Sequence, residues 1–215
     1  MLKKNSPSCG LARVPVWNAS GMPERRGQGL FAEALLEACE ALPVEEEGRL
    51  RDPHLRENWI ERVFAYRRLR SLFRGAWTQR QLVAFHTRHK LQLLAHSPSA
   101  QRELGRLVAG ARALGRAELR RTYERGFMAA LRHPATPRRH ESVLRRAVAR
   151  FRGRLGAADR RELLARIEDY GKRRVPLVVP ITLVRHHAAR LGLEALAGQP
   201  YLDPHPGELM LRNRV

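Results

Sequence analysis

The strongest constraint on the fold of this chain is a repeated helix-start signal, a capping side chain followed at once by proline. Asp52-Pro53 and Ser97-Pro98 both have it. Proline suits the first turn of a helix because its missing N–H would have no partner there. Apolar residues then recur every three or four positions, which is the spacing of a helix face. The sequence after residue 51 therefore predicts a mainly α-helical fold.

The helical pattern continues over most of the chain, whereas the first 26 or so residues predict irregular structure with Met1-Leu2 as the end of a strand. A first helix is predicted from Gly29 to Leu42, followed by a short extended segment and turn. The later predicted helices span 52–74, 78–95, a stretch from 97 through 108, 116–132, 138–155, 158–171 and 180–191. For the helix at 52–74, the predicted buried residues are Trp59, Ile60, Val63, Phe64, Tyr66 and Leu69.

The charge of the chain points to a polyanionic partner. Lys and Arg number 41 against 21 Asp and Glu, a net charge of +20, and only four of the basic residues are lysines. Codon bias explains the excess of arginine over lysine, but it does not explain the excess of basic over acidic residues. Nucleic acid is the favoured partner, with an anionic membrane or an acidic protein as alternatives. No apolar run could span a bilayer, and two unpaired cysteines fit a reducing compartment, so we expect a cytoplasmic protein.

Arginines load two of the predicted helices with few acidic residues to neutralise them. Basic groups spaced along a helix can follow a phosphate backbone. Aromatic stacking platforms are not evident, which favours recognition of a folded RNA by its shape. The arginines are Arg112, Arg116, Arg120, Arg121 and Arg125, then Arg138, Arg139, Arg145, Arg146, Arg150, Arg152 and Arg154.

A histidine-rich stretch predicts a polar face on one continuous helix. His86, His89 and Lys90 share that face, and His96 lies further along it. No acidic or sulfur ligand falls on the stripe, so it makes a poor zinc site. Two interpretations stay open: these residues contact RNA phosphate or ribose, or they only cap and pack.

The C-terminal segment carries dense polar residues, among them His205, Glu208 and Arg212. Such a terminus is expected to dock rather than fray. It either fastens the helical bundle, which we favour slightly, or contacts the substrate directly, with His205 and Arg212 touching RNA.

A cysteine stands in a turn-forming segment near the start, at residues 2–10 (LKKNSPSCG). The glycine beside Cys9 would let the backbone approach an iron–sulfur cluster closely. Taken alone, a single cysteine is weak evidence for a cluster, and an idle surface thiol is the favoured interpretation of Cys9. The other cysteine, Cys39, lies in an apolar helical pattern and is predicted to pack as a small core residue.

The segment at 2–10 resembles the last cysteine motif of the thiouracil desulfidase (TudS-like) family, and residues 29–50 resemble the C-terminal portion of that family. Residues 51–215 resemble the YbgA-like domain. The matching motifs there are DPHLREN at 52–58, FAY at 64–66, HxxHK at 86–90, LAHSP at 94–98 and YLxPHPxELxLRN at 201–213. The resemblance implies a remnant of an α/β desulfidase domain at 1–50 and a helical YbgA-like domain at 51–215.

The resemblance also implies a function. Fused relatives hold a [4Fe-4S] cluster through three cysteines and remove sulfur from 4-thiouridine, while the YbgA-like domain presents tRNA. Cys9 matches the third cluster ligand, and Ser6 and Ser8 match the serines beside it. The two earlier cysteines have no counterpart here, so an N-terminally truncated chain, inactive alone, is expected. The alternatives are a non-enzymatic RNA-binding or scaffold module and a subunit completed by a separate catalytic chain.

Overall fold

The computed structural model describes residues 1–151 and 153–215, and it is mainly helical, which confirms the predicted fold class. Ten α-helices and two short strands are found among these residues. Arg152 lies outside the described residues.

The N-terminal segment begins with a short strand contact. Leu2 pairs with Glu46 in a parallel bridge, in which the Leu2 N–H donates to the Glu45 carbonyl and the Glu47 N–H donates to the Leu2 carbonyl. This confirms the strand end predicted at Met1-Leu2 and the extended segment that follows the first helix.

The next residues form a hairpin where irregular structure was predicted, so that prediction is wrong. Strand β1 (Val14–Trp17) pairs antiparallel with β2 (Pro23–Gly27), and the connecting turn is held by the Asn18 side chain. The hairpin was missed because both strands are short and largely exposed, so they lack the alternating apolar pattern of a half-buried strand. Helix α1 (Leu30–Ala38) then ends earlier than Leu42.

Helix α2 (Pro53–Leu72) begins where predicted, and the Asp52 carboxylate caps it by accepting hydrogen bonds from the His54 and Leu55 N–H groups. Its buried face is not the predicted one. Of the predicted apolar set only Leu69 is fully buried, and Trp59, Ile60, Val63, Phe64 and Tyr66 are half-buried. The interior face carries Glu57, Asn58, Glu61, Arg62, Ala65 and Leu69.

The predicted helix at 78–95 is two helices, α3 (Gln79–Arg88) and α4 (Lys90–His96), which meet at His89. Thr78 caps α3 in a capping box with Gln81, as its position predicts. Helix α5 (Pro98–Ala109) begins with the predicted Ser97 cap, whose hydroxyl accepts from the Ala100 N–H.

The remaining helices begin close to their predicted positions, but the one predicted to run to Leu155 ends at Ala149. They are α6 (Arg116–Leu131), α7 (Pro137–Ala149), α8 (Ala157–Gly171) and α9 (Val178–Arg190). A short helix α10 (Glu194–Ala197) follows the one predicted to be last. The tail ends in two 3₁₀ turns, Gly207–Leu209 and Leu211–Asn213.

The helices pack around two apolar clusters. One joins α2, α3, α5 and α6 around Tyr123 and Phe127, and the other joins α7, α8 and α9 around Leu144 and Ile167. Helix α4 lies between them, because Leu93 belongs to the first cluster and Leu91 to the second. No helix within the described ranges is long and apolar enough to cross a membrane.

Candidate functional site

The interior between the two apolar clusters holds a network of charged side chains. Glu57 and Glu61, one turn apart on α2, meet Arg212 from the C-terminal tail. Arg212 Nε donates to Glu57 Oε1 at 3.0 Å, and its Nη2 lies 3.7 Å from Glu61 Oε2. Arg212 Nη1 also donates to the Tyr201 carbonyl at 2.6 Å. The tail is therefore docked, as its composition predicts, and its arginine fastens the bundle.

His96 supplies a second cation to this network from the end of α4. Its Nδ1 donates to the His133 carbonyl at 2.7 Å, which leaves Nε2 facing Glu61 Oε2 at 3.4 Å. Burial by itself would lower the pKa of His96, but Glu61 outweighs burial and raises it. Burial would likewise raise the pKa of Glu61, yet His96 and Arg212 lower it. Both shifts favour the ionised pair.

Two further side chains extend the network at its edges. Gln92 Nε2 donates to Glu61 Oε1 at 2.7 Å, and His205 Nε2 lies 3.7 Å from Glu57 Oε1. On the other side of Arg212, the Tyr201 hydroxyl lies 2.9 Å from His140 Nδ1. The network ties α2, α4, α7 and the tail together, and its members are all buried.

The histidine-rich stretch does not form the predicted polar face on one continuous helix, and the burial of its histidines supports the capping and packing interpretation. His86, His89 and His96 are buried, and only Lys90 of that set is exposed. The reason is the break at His89, which ends one helix and starts another, so the four residues share no continuous stripe. His86 Nδ1 lies 3.2 Å from the Tyr123 hydroxyl, and the His89 ring stacks on Phe85. His205 and Arg212 are also interior, so none of these buried side chains presents an exposed RNA contact.

Most of the predicted arginines, in contrast, do lie on the surface. Arg120 and Arg145 are each paired within one helix, to Glu124 and Glu141. Arg139 is half-buried and donates to the His96 carbonyl. The exposed arginines for which no carboxylate lies within 4.0 Å, counting only the described residues, are Arg112, Arg116, Arg121, Arg125, Arg138, Arg146, Arg150 and Arg154.

Aromatic side chains hold two of the α6 arginines in place. The Arg116 guanidinium lies 5.1 Å from the Trp77 ring centre, and that of Arg120 lies 5.4 Å from the Phe73 ring centre. Along α7, Arg138, Arg145 and Arg146 line a shallow surface groove. Both helices thus present basic surfaces on a rigid backbone, which suits contacts with phosphate groups.

The segment around Cys9 forms a tight turn against the start of α1. The Ser6 hydroxyl accepts hydrogen bonds from the Ser8 and Cys9 N–H groups, and the Gly10 N–H donates to the Ser6 carbonyl. The Ala32 N–H donates to the Ser8 carbonyl. Gly29 permits this contact, because a Cβ there would lie 2.3 Å from the Ser8 carbonyl oxygen. Ser6 therefore shapes the turn, and Ser8 lies 3.8 Å from the Cys9 sulfur.

The residues present do not fit a [4Fe-4S] cluster. Cys39 is exposed and caps the far end of α1, so the prediction of a core cysteine is wrong. The nine-residue helix between Cys39 and the Cys9 turn is about 14 Å long at 1.5 Å per residue, too long for both thiols to bind one cluster. Among the described residues, no three His, Cys, Asp or Glu side chains converge on a metal position.

Comparisons with known proteins agree with the helical part. Residues 90–206 match the family described as "Protein of unknown function (DUF1722)". The chain is 32% identical over 158 residues to the "Uncharacterized protein YbgA" of Escherichia coli (strain K12), covering 73% of this chain and 94% of that protein. This chain belongs to the DUF1722 family. The predicted YbgA-like domain is thereby confirmed. No solved structure matches the chain.

The DUF1722 match begins at α4, so it includes His96 and His140 but not the two α2 carboxylates. Sequence reasoning missed Glu57 and Glu61 because acidic residues are taken as exposed unless a partner is known. A signal was present. Glu57, Glu61, Ala65 and Leu69 recur every four residues, so the polar pair continues the buried stripe of α2.

Proposed function

We propose that this DUF1722 protein binds structured RNA, with tRNA as its partner, through the unpaired arginines of α6 and α7. The observation that supports this is the set of exposed guanidinium groups without a neighbouring carboxylate, on a chain of net charge +20. Solvated helix faces usually mix both signs, whereas on α6 and α7 the i,i+4 pairs Arg120–Glu124 and Arg145–Glu141 leave most of the exposed arginines without an acidic neighbour. The proposal puts the protein in the cytoplasm with its RNA.

The same proposal assigns the chain to thiouridine removal, as the RNA-binding portion of a [4Fe-4S]-dependent desulfidase. The support is the Cys9 turn, in which two N–H groups converge on Ser6 and the thiol stands beside Ser8. One thiolate cannot hold a cluster, so the other ligands come from another segment or a partner chain.

RNA binding is tested with three double charge reversals that change the net charge equally. R121E/R125E alters α6, R138E/R146E alters α7, and R160E/R161E alters exposed arginines on α8 as the matched control. We expect the first two to weaken tRNA binding and to reduce the log–log salt slope by about 2, since each phosphate contact contributes about 0.9. The control variant should change both the tRNA affinity and the salt slope by less than the other two variants do. Equal effects of all three variants would contradict a defined interface.

The desulfidase part needs a separate measurement. Deleting the gene should raise the 4-thiouridine content of tRNA in the native cell, as measured on nucleosides from hydrolysed tRNA. A C9S replacement in the chromosome should have the same effect if Cys9 is a cluster ligand. Unchanged 4-thiouridine together with intact tRNA binding would favour the alternative, a non-enzymatic RNA-binding module in which Cys9 has no role.

A further inference from the structure

A cleft between α2 and α3 combines aromatic and cationic side chains. Its volume is about 650 Å³, within the range of small-ligand sites. We call it the α2–α3 cleft, and its principal lining residues are Phe64, Arg67, Arg68, Phe85, Arg88 and His89. Neither the exposed arginines of α6 and α7 nor the Cys9 turn contributes to it.

Two buried polar atoms of the lining residues have no hydrogen-bond partner: His89 Nε2 and Arg68 Nη1. His89 is only 1% exposed, and its Nδ1 donates to the Phe85 carbonyl at 2.8 Å. Nε2 is therefore the acceptor nitrogen of a neutral ring. Arg68 donates from Nη2 to the Pro204 carbonyl, which leaves Nη1 as a free donor. Buried polar groups usually have a partner, so each of these two atoms can still take part in one hydrogen bond.

The outer part of the cleft is cationic. Arg67 and Arg88 are exposed, and within the described part of the chain no carboxylate lies within 4.0 Å of either guanidinium. Arg88 is positioned by donating from Nε to the Gly198 carbonyl at 3.0 Å. A ligand that fits this cleft must therefore have a flat apolar part for the aromatic side chains. It must also offer one hydrogen-bond donor and one acceptor, and carry negative charge.

We propose that the α2–α3 cleft binds a single unpaired nucleotide of an RNA. The base contacts Phe64 and Phe85, its edge donates to His89 Nε2 and accepts from Arg68, and the flanking phosphates contact Arg67 and Arg88. Aromatic contact with a splayed-out base and arginine contact with its phosphate are the usual means of binding unpaired RNA. This inference rests on the proposed RNA-binding function and adds a site for unpaired nucleotides to it.

The test compares two single-charge variants on neighbouring helices. R67A removes a cleft arginine, and R80A removes an exposed α3 arginine outside the cleft. The probes are fluorescent hexauridylate and hexaadenylate, with a duplex RNA of the same charge for comparison. We expect R67A to weaken hexanucleotide binding about tenfold and R80A to weaken it no more than about twofold. Both variants should have similar, small effects on binding of the duplex RNA. Equal losses in both variants would overturn the proposal.

A second readout detects the contact with the base itself. The ¹⁵N resonance of His89 Nε2 should shift when a hexanucleotide is added to the wild-type protein and stay in place with the duplex. No shift under saturating hexanucleotide would overturn the cleft assignment even if binding is measurable. If only the cleft proposal is wrong, tRNA binding will still be weakened by R121E/R125E or R138E/R146E. If the proposed RNA-binding function is wrong, the protein will bind neither tRNA nor the hexanucleotides.

Discussion

Arg212 Nε lies 3.0 Å from Glu57 Oε1, although 155 residues separate the two along the chain. The contact joins the C-terminal tail to the first turns of α2 inside the protein. Both side chains are buried, and their charges are partnered by Glu61 and His96 as well. Burying charges is costly unless each is paired, so removing one member leaves its partners with an uncompensated buried charge.

Removing Arg212 should therefore destabilise the whole fold. R212M leaves Glu57 and Glu61 buried without their guanidinium partner, and we expect a loss of about 3–5 kcal/mol in the free energy of unfolding. The measurement is urea unfolding at pH 7. R214M, which removes an exposed arginine two residues away, is the matched control and should cost less than about 0.5 kcal/mol. Similar losses in both variants would show that the buried contact of Arg212 adds nothing to the free energy of unfolding beyond what an exposed arginine adds.

Protonation of His96 should depend on Glu61. Because Glu61 raises the pKa of His96, this pair adds stability below pH 6.5, and that stability is lost as the pH rises through the folded-state pKa. Glu61→Gln removes the partner and leaves burial dominant, so the pKa of His96 should fall below 6.5. NMR titration of the His96 ring measures this. E208Q, at an exposed carboxylate, should leave the titration unchanged.

Acid should destabilise the protein through His140. Burial lowers its pKa to about 3, so below pH 6.5 the unfolded state binds a proton that the folded state does not. Stability then falls by up to about 1.4 kcal/mol per pH unit between pH 6.5 and 3 for this residue. H140Q, which offers the Tyr201 hydroxyl another partner, should flatten the pH dependence of urea unfolding. An unchanged slope would mean that His140 titrates normally in the folded protein.

The Cys9 turn should depend on Gly29. G29A places a methyl group 2.3 Å from the Ser8 carbonyl oxygen, so the turn must move away from α1. We expect faster hydrogen exchange at the Ala32 amide, which donates to Ser8, and faster reaction of Cys9 with a thiol reagent. In G115A the added Cβ meets nothing within 4 Å, so this control should show neither change.

The local rules predicted where most helices begin. Asp52, Thr78 and Ser97 cap the helices that follow them, because a short polar side chain next to a helix start satisfies N–H groups that have no other partner. The hairpin of β1 and β2 was missed for the complementary reason. Its strands are mostly exposed, so burial leaves no pattern in their sequence.

The sequence alone determined a basic, mainly helical protein with capped helices and a cysteine in a turn, since charge, periodicity and capping act within a few residues. Only the tertiary structure decided which polar residues are interior. Glu57 becomes a core residue because Arg212 arrives from the other end of the chain, and His89 turns inward because α3 ends there. A side chain's ionisation and exposure depend on partners far away in sequence, and those partners meet only after folding.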